Sequence, residues 1–109
     1  MANLVILESA QRELEEIAQL HKNLVGSHSA RTITDLILDT LSHVEMFPLS
    51  GHIPRDKELR NGGCRYVIAG KYICMYRLIG EEVYVYHIAH GARNYPTLFK
   101  QLLKEDCLD

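Results

Sequence analysis

The fold of this chain is decided by the stretch Lys71–Ala89, K-Y-I-C-M-Y-R-L-I-G-E-E-V-Y-V-Y-H-I-A. Two runs of β-branched and aromatic residues lie on either side of Gly80-Glu81-Glu82, which is a turn signal. In the first run both alternating sets of side chains are mostly apolar, which predicts a central strand buried on both faces. A third run, Arg65–Ile68, comes just before it, so the sequence predicts a three-stranded antiparallel meander.

The first 46 residues predict a strand followed by two helices. Leu4–Leu7 is a short apolar run typical of a buried strand. Ser9 is a suitable N-cap for a helix with apolar residues at helical spacing, and Gly26 is a suitable end for it. Ser27 or Ser29 can cap the second helix, and the short break between the helices predicts an antiparallel pair.

The rest of the chain completes one domain spanning residues 1–109. Two prolines and a glycine predict a loop at Phe47–Pro54. The charged segment Arg55–Asn61 is predicted to be a strand edge or loop, and Tyr95–Leu103 a short helix with Pro96 in its first turn. The predicted fold class is α+β, with an N-terminal strand, an antiparallel helix pair, a three-stranded antiparallel meander completing one sheet, and a short C-terminal helix.

Composition and charge narrow the classes of function. With 47% hydrophobic residues and a net charge of −2, the chain is neither disordered nor a typical nucleic-acid binder. No apolar run approaches the roughly 20 residues that cross a bilayer, and no signal peptide is evident, so we expect a cytoplasmic protein without a membrane partner. Residues 55–104 carry nine Lys/Arg against four Asp/Glu, which predicts a basic patch for an acidic partner, with RNA or DNA among the possible partners.

A compact polar group follows the last predicted strand. His90 could act as a general acid or base, and Arg93 could hold a phosphate or carboxylate; alternatively, His90 bonds to backbone and Arg93 pairs with a nearby carboxylate. Tyr95 could stack on a base or pack the last helix against the sheet. His87 and His90 form an H-x-x-H pattern, but on a strand they point to opposite faces. We therefore expect no metal site and no cofactor.

The strand, the helix pair, the meander and the closing H-G-A-R of His90–Arg93 resemble the toxins of bacterial type II toxin–antitoxin systems, the RelE/ParE superfamily. The resemblance covers nearly the whole chain and is strongest over Cys64–Phe99. This superfamily has a ribonuclease branch, which is RelE-like, and a ParE-like branch.

The ParE-like branch is the better match. It often shows an arginine–aromatic pair before the hairpin (here Arg65-Tyr66), a Y-x-x-x-Y strand (Tyr72 to Tyr76) and H-G-x-R after the last strand. Asn94 departs from the acidic residue that commonly follows that arginine. The resemblance implies a non-enzymatic toxin that inhibits DNA gyrase and is neutralised by a cognate antitoxin, whose disordered tail folds onto the toxin.

Two sets of site residues follow from the resemblance and the charge pattern. The residues expected to contact the target or a phosphate are Arg65, Arg77, Arg93 and Tyr95. The residues expected to lie in the apolar antitoxin-binding surface are Tyr72, Tyr76 and Ile88. A homodimer is also compatible with the sequence.

Two alternative functions stay open. In the first, the chain is a metal-independent mRNA endoribonuclease acting at the ribosome, with His90 as acid or base and Arg93 on the phosphate. Against it, Ile73 follows Tyr72 where that branch usually has arginine, and Tyr66 and Ile68 stand where it tends to have lysines. In the second, the chain is an inactive binding module that keeps the toxin fold.

Overall fold

The computed structural model describes residues 3–91, 96, 97, 99 and 100. Within residues 3–91 the chain forms a four-stranded mixed sheet and three helices. The elements in chain order are β1 (Asn3–Ile6), α1 (Glu8–Leu24), α2 (Ser27–Met46), α3 (Lys57–Asn61), β2 (Cys64–Ala69), β3 (Tyr72–Ile79) and β4 (Glu82–His90). The strand order is β1-β4-β3-β2, so the predicted α+β class is confirmed.

The first strand joins the sheet at one edge. β1 pairs in parallel with β4, with Asn3 opposite Glu82 and Ile6 opposite Val85. A parallel pair needs a crossover connection, and α1 and α2 lie within this one. The helix pair is thereby laid over one face of the sheet, which we call the helix face.

Both helices begin differently from the prediction. Ser9 does not cap α1: the helix begins at Glu8 with Leu7 as N-cap, and the Ser9 hydroxyl instead donates to the carbonyl of Tyr86 at 2.8 Å. α2 begins at Ser27, so its N-cap is Gly26, at φ 141°, rather than a serine. The predicted break at Gly26 is correct because glycine tolerates this positive φ.

The meander is confirmed, with β2–β3 and β3–β4 both antiparallel. Each connection is a two-residue loop that starts with a glycine of positive φ, Gly70 at 61° and Gly80 at 64°. Glycine at the first loop position is what a tight hairpin of this kind requires. Ile68 and Ile73 therefore face one another across the first hairpin.

A β-bulge alters the faces of β4. Met75 pairs with His87 and Tyr76 with Val85, which leaves Tyr86 as an extra residue. Strict alternation along the run Val83–Ala89 predicts that Val85 and Ile88 point to opposite faces. This is wrong, because both pack in the core beneath the helices. One extra residue in a strand reverses the alternation that follows it.

The sheet is covered on both faces. The larger core lies under α1 and α2 and includes Ile37, Leu41, Tyr76 and Val83. A smaller core on the opposite face, which we call the second face, is formed by Leu59, Cys64, Ile73, Met75, Ala89 and Phe99. β3 contributes to both, as expected for a central strand.

The segment Arg55–Asn61 was predicted to be a strand edge or loop, and this is wrong. It contains α3, a helix of five residues. Asp56 is its N-cap and accepts a hydrogen bond from the Leu59 amide at 3.2 Å, while Leu59 packs in the smaller core. Pro96, Thr97, Phe99 and Lys100 are helical, and the rest of the predicted helix Tyr95–Leu103 lies outside the described residues.

An ion pair joins the N-cap of α3 to the C-terminal segment. Lys100 Nζ lies 3.0 Å from Asp56 Oδ2. This contact lowers the pKa of Asp56, together with the Leu59 amide, and the same contact raises the pKa of Lys100. A carboxyl group whose pKa is lowered by folding stabilises the fold fully above its ordinary pKa of 3.8. This stabilisation is lost as the pH falls through the lowered pKa. Lys100, whose pKa is raised, stabilises the fold fully below its ordinary pKa of 10.5, and this stabilisation is lost as the pH rises through the raised pKa.

We therefore expect Asp56→Asn to destabilise the protein more at pH 7 than at pH 3. Asparagine keeps the N-cap and removes only the charge, so it is a matched variant. The measurement is the free energy of unfolding by urea for both proteins at pH 3, 7 and 9. An equal difference at pH 3 and pH 7 would show that the ion pair does not act as described.

Candidate functional site at the end of the sheet

His90 is the last residue of β4 and is half-buried. It pairs with Tyr72 of β3, and the two rings meet edge to face with centroids 5.5 Å apart. His87 pairs with Met75 on the second face, whereas His90 is on the helix face with Tyr72, so the two histidines do lie on opposite faces. The described residues contain no group of three or more His, Cys, Asp or Glu that could hold a metal ion.

A chain of hydrogen bonds lies behind His90. The Tyr72 hydroxyl is 3.0 Å from Nε2 of His21, and Nδ1 of His21 is 3.1 Å from the Ser29 hydroxyl. These contacts join β3 to α1 and α2. Tyr72 is therefore held at both ends, by the helices through its hydroxyl and by His90 through its ring.

A groove opens beside His90. Its volume is about 510 Å³, and it is lined by Ile68, Gly70, Lys71, Ile73, His90 and Gly91. The Gly91 amide donates to the Lys71 carbonyl at 2.7 Å, and a Cβ at Gly91 would lie 3.2 Å from that oxygen. Glycine after His90 therefore allows the chain to pass close to the β2–β3 turn. The groove combines an ammonium group and an imidazole with an apolar wall, which suits an acidic and partly apolar ligand.

The other predicted polar residues of this site are only partly placed. Arg93 and Tyr95 lie outside the described residues. Arg65 donates to the carbonyls of Leu49 at 3.2 Å and Gly51 at 3.1 Å. Arg77 lies over the Tyr86 ring, 5.8 Å from its centroid. Of the predicted target-contacting residues, Arg65 and Arg77 thus have intramolecular partners, and neither lines the groove.

The three residues predicted to bind the antitoxin are core residues. Tyr72 is 6% exposed, Tyr76 is 0% exposed and Ile88 is 2% exposed, and all three pack beneath α1 and α2. The Tyr76 hydroxyl donates to the Pro48 carbonyl at 2.7 Å and accepts the Gly51 amide at 2.9 Å. Burial raises the pKa of Tyr76, which keeps this hydroxyl neutral and able to donate. In this conformation a partner meets the surface around these side chains rather than the side chains themselves.

A polar pair between α1 and β4 is absent from the prediction. Oε1 of Glu13 lies 3.2 Å from Nδ1 of the buried His87 and accepts the Ile88 amide at 3.0 Å. Burial, and then the Glu13 carboxylate, raise the pKa of nearby Cys74 to about 12, so this cysteine stays a thiol at neutral pH. The sequence holds a signal for this pair, because Glu13 lies three residues after Ala10 and four before Ile17, on the buried stripe of α1.

An apolar surface lies at the end of α2, away from the groove. A cavity of about 580 Å³ is lined by His43, Met46, Phe47, Pro48, Leu49 and Ser50. Met46, Phe47 and Leu49 are each more than half exposed. Contiguous exposed side chains of this kind mark protein-interaction surfaces.

None of the described helices is long and apolar enough to cross a membrane.

Comparison with solved structures shows proteins of similar fold. A chain of the chromosomal ParDE toxin–antitoxin system from P. aeruginosa superposes with a TM-score of 0.70 at 17% identity, over 83% of this chain and 96% of that one. A chain of the RelBE2 toxin–antitoxin complex from Mycobacterium tuberculosis superposes with a TM-score of 0.61 at 17% identity, over 82% and 96%. At these identities the likeness shows the fold, which is that of the toxin–antitoxin proteins of these two systems.

The family is shown by the sequence itself. The family described as ParE toxin of type II toxin–antitoxin system, parDE, matches residues 4–95. The chain belongs to this ParE toxin family and is a toxin of a toxin–antitoxin system. No curated protein matches the sequence significantly.

Proposed function

We propose that this toxin inhibits DNA gyrase, acts in the cytoplasm and is neutralised by a cognate antitoxin. The observation that carries the proposal is the ParE family match over residues 4–95. The arrangement of basic residues supports it: Arg65 is bonded to loop carbonyls and Arg77 lies on an aromatic ring. A metal-independent ribonuclease needs several cations around one phosphate, and these two are not directed at the groove.

The proposed target contact is the groove at the end of the sheet together with the polar group after it. His90 and Lys71 line the groove, and Arg93 follows His90 by three residues. The positive charges of Lys71 and Arg93 suit an acidic protein surface.

The proposed antitoxin contact uses exposed apolar surface. The side chains at the end of α2, Met46, Phe47 and Leu49, form one such surface. Leu24 and Val25, each about three-quarters exposed at the turn between α1 and α2, form another. A partner that folds on binding can cover both, because disordered segments wrap large surfaces.

The test is induction of this toxin alone in a bacterial host, with parallel readouts of the DNA-damage response and of transcript integrity. We expect arrested growth, an induced damage response and intact transcripts, and relief when the antitoxin is co-expressed. Purified toxin should inhibit supercoiling by gyrase, and Arg93→Ala should weaken both effects at equal expression. Lys57→Ala, at an exposed charge on α3, is the matched control.

Two results would overturn the proposal. Cleaved transcripts without a damage response would identify a ribonuclease, and loss of cleavage in His90→Ala would then place His90 in its chemistry. No growth effect at confirmed expression would identify an inactive module with the toxin fold. Unchanged toxicity of Arg93→Ala would remove that residue from the target contact.

A further inference from the structure

The two methionines that the structure describes lie in opposite environments. Met75 is 1% exposed and packs in the smaller core on the second face, with Cys64 and Phe99. Met46, the last residue of α2, is 55% exposed and lines the cavity at the end of that helix. Because oxidation of a thioether requires contact with the oxidant, Met46 is open to it and Met75 is protected.

Met46 belongs to a contiguous apolar surface. Phe47 and Leu49, which are 54% and 65% exposed, line the same cavity. Methionine suits such a surface because its flexible, polarizable side chain adapts to the shape of a partner. Of these three side chains, only that of Met46 can be made polar by a mild oxidant.

The reaction transfers one oxygen atom to the Met46 sulfur. The sulfur attacks one oxygen of hydrogen peroxide, an S–O bond forms, and the O–O bond breaks. The leaving hydroxide takes the proton of the oxygen that is now bound to sulfur, so the products are methionine sulfoxide and water. The sulfur is oxidised by two electrons and the peroxide is reduced by two.

The sulfoxide changes what the apolar surface offers to a partner. Its oxygen is a strong hydrogen-bond acceptor, and in the free toxin water can bond to it because Met46 is more than half exposed. A partner that covers this position with apolar side chains removes that water and supplies no donor. Burying a polar group without a hydrogen bond is unfavourable, so oxidation weakens such a contact.

We propose that Met46 is a site of reversible oxidation by peroxides, and that its sulfoxide prevents the antitoxin from binding the apolar surface at the end of α2. The inference rests on the proposed antitoxin contact and adds a chemical switch to it. A bound antitoxin covers Met46, so the switch acts on free toxin. Oxidised toxin escapes neutralisation, and methionine sulfoxide reductases restore it.

The first test is peptide mass mapping of the toxin after brief exposure to dilute hydrogen peroxide, alone and in complex with the antitoxin encoded with it. In the free toxin we expect Met46 to gain oxygen about tenfold or more faster than Met75, because of their difference in exposure. In the complex the reaction of Met46 should slow by a similar factor. Met1 and Cys107 lie outside the described residues, and mapping reads their oxidation separately.

The second test is the affinity of peroxide-treated toxin for untreated antitoxin. We expect a loss of about tenfold or more, which methionine sulfoxide reductases reverse. Met46→Leu keeps an apolar side chain without the sulfur, so its affinity should equal that of the wild type before and after peroxide. Met46→Gln should bind weakly without peroxide. Ile79→Gln is the matched control, at an exposed apolar residue of β3 that does not line the cavity.

The outcomes separate this inference from the proposed function. If the antitoxin binds but oxidised toxin binds equally well, or Met46 reacts equally fast in the complex, the switch is wrong and the antitoxin partnership stands. A loss of affinity that persists in Met46→Leu would assign the effect to another residue and overturn the inference. So would a lower free energy of unfolding after peroxide, because the fold rather than the surface would then be damaged. If the antitoxin does not bind untreated toxin at all, the partnership is wrong and the switch falls with it.

Discussion

Replacing Glu13 by alanine is expected to lower the free energy of unfolding by about 2–3 kcal/mol, a large effect for a partly exposed helix residue. Oε1 of Glu13 accepts the Ile88 amide at 3.0 Å and lies 3.2 Å from Nδ1 of His87. In the alanine variant, neither the Ile88 amide nor Nδ1 of His87 has this oxygen as a partner. A buried donor that loses its acceptor costs about 1–3 kcal/mol, and two groups are affected here.

The position of Glu13 explains why the loss should be large. β1 pairs with β4 only as far as Val85, while β4 continues to His90. Beyond that point α1 supplies side chains to the β4 backbone, with the Ser9 hydroxyl on the Tyr86 carbonyl and Glu13 on the Ile88 amide. The first two turns of α1 therefore replace a neighbouring strand.

The measurement is urea denaturation of three variants at pH 7. Glu16→Ala, an exposed position on the same helix, corrects for the higher helix propensity of alanine. Glu13→Gln keeps an oxygen that can accept the Ile88 amide, so it should retain at least half of the lost stability. If Glu13→Ala is no less stable than Glu16→Ala, the carboxylate does not support β4.

The long elements of this fold could be predicted because each carries a clear hydrophobic period. β3 shows two apolar faces, and α2 has a stripe that ends up buried at Ile37, Leu41 and Val44. α3 has five residues and one buried side chain, Leu59, so no period exists to detect. It is defined by the Asp56 cap and by packing on the sheet, which are tertiary contacts.

Strict alternation could not reveal the bulge in β4. The run Val83–Ala89 alternates without interruption in sequence, yet Tyr86 is extra in the pairing with β3. Every residue after it therefore lies on the face opposite to the one that strict alternation from Val83 predicts. The resulting placement of Ile88 under the helices and of His87 beside Phe99 depends on the partner strand.

In the candidate site too, some features follow from local sequence and others depend on contacts that are remote in sequence. The position of His90 at the end of a strand follows from local sequence, and the structure places it beside a groove. The roles of Tyr72 and Arg65 do not follow, because their partners are His21 and the Leu49 and Gly51 carbonyls, which are remote in sequence. A tyrosine on an apolar strand gives no indication of whether its hydroxyl faces a partner protein or a buried carbonyl.

Replacing Tyr76 by phenylalanine is expected to lower the free energy of unfolding by about 2 kcal/mol and to release the loop after α2. The ring stays in place, because its core contacts are unchanged. The hydroxyl alone is lost, and with it the donor to the Pro48 carbonyl at 2.7 Å and the acceptor of the Gly51 amide at 2.9 Å. The amide at Gly51 is buried, so it loses its acceptor without gaining water.

The backbone at Gly51 is fitted to this hydroxyl. A Cβ at Gly51 would overlap the Tyr76 hydroxyl oxygen, so only glycine allows the close approach. Arg65 bonds to the Gly51 carbonyl, and Tyr76 bonds to its amide. Cε1 and Cζ of the Tyr76 ring would lie 2.6 and 2.8 Å from that Cβ and are retained in phenylalanine, so Gly51→Ala should destabilise both the wild-type protein and Tyr76→Phe.

The matched control is Tyr84→Phe. The Tyr84 hydroxyl donates to Oε2 of Glu82 at 2.6 Å at a partly exposed position, where water can replace it, so this variant should be nearly as stable as wild type. The measurements are urea denaturation and amide exchange at Ser50 and Gly51. Because the loop carries Phe47 and Leu49 of the apolar surface, Tyr76→Phe should also weaken antitoxin binding. Stability and loop exchange equal to those of Tyr84→Phe would show that the hydroxyl does not hold the loop, and the apolar surface would then have to be ordered by its own packing.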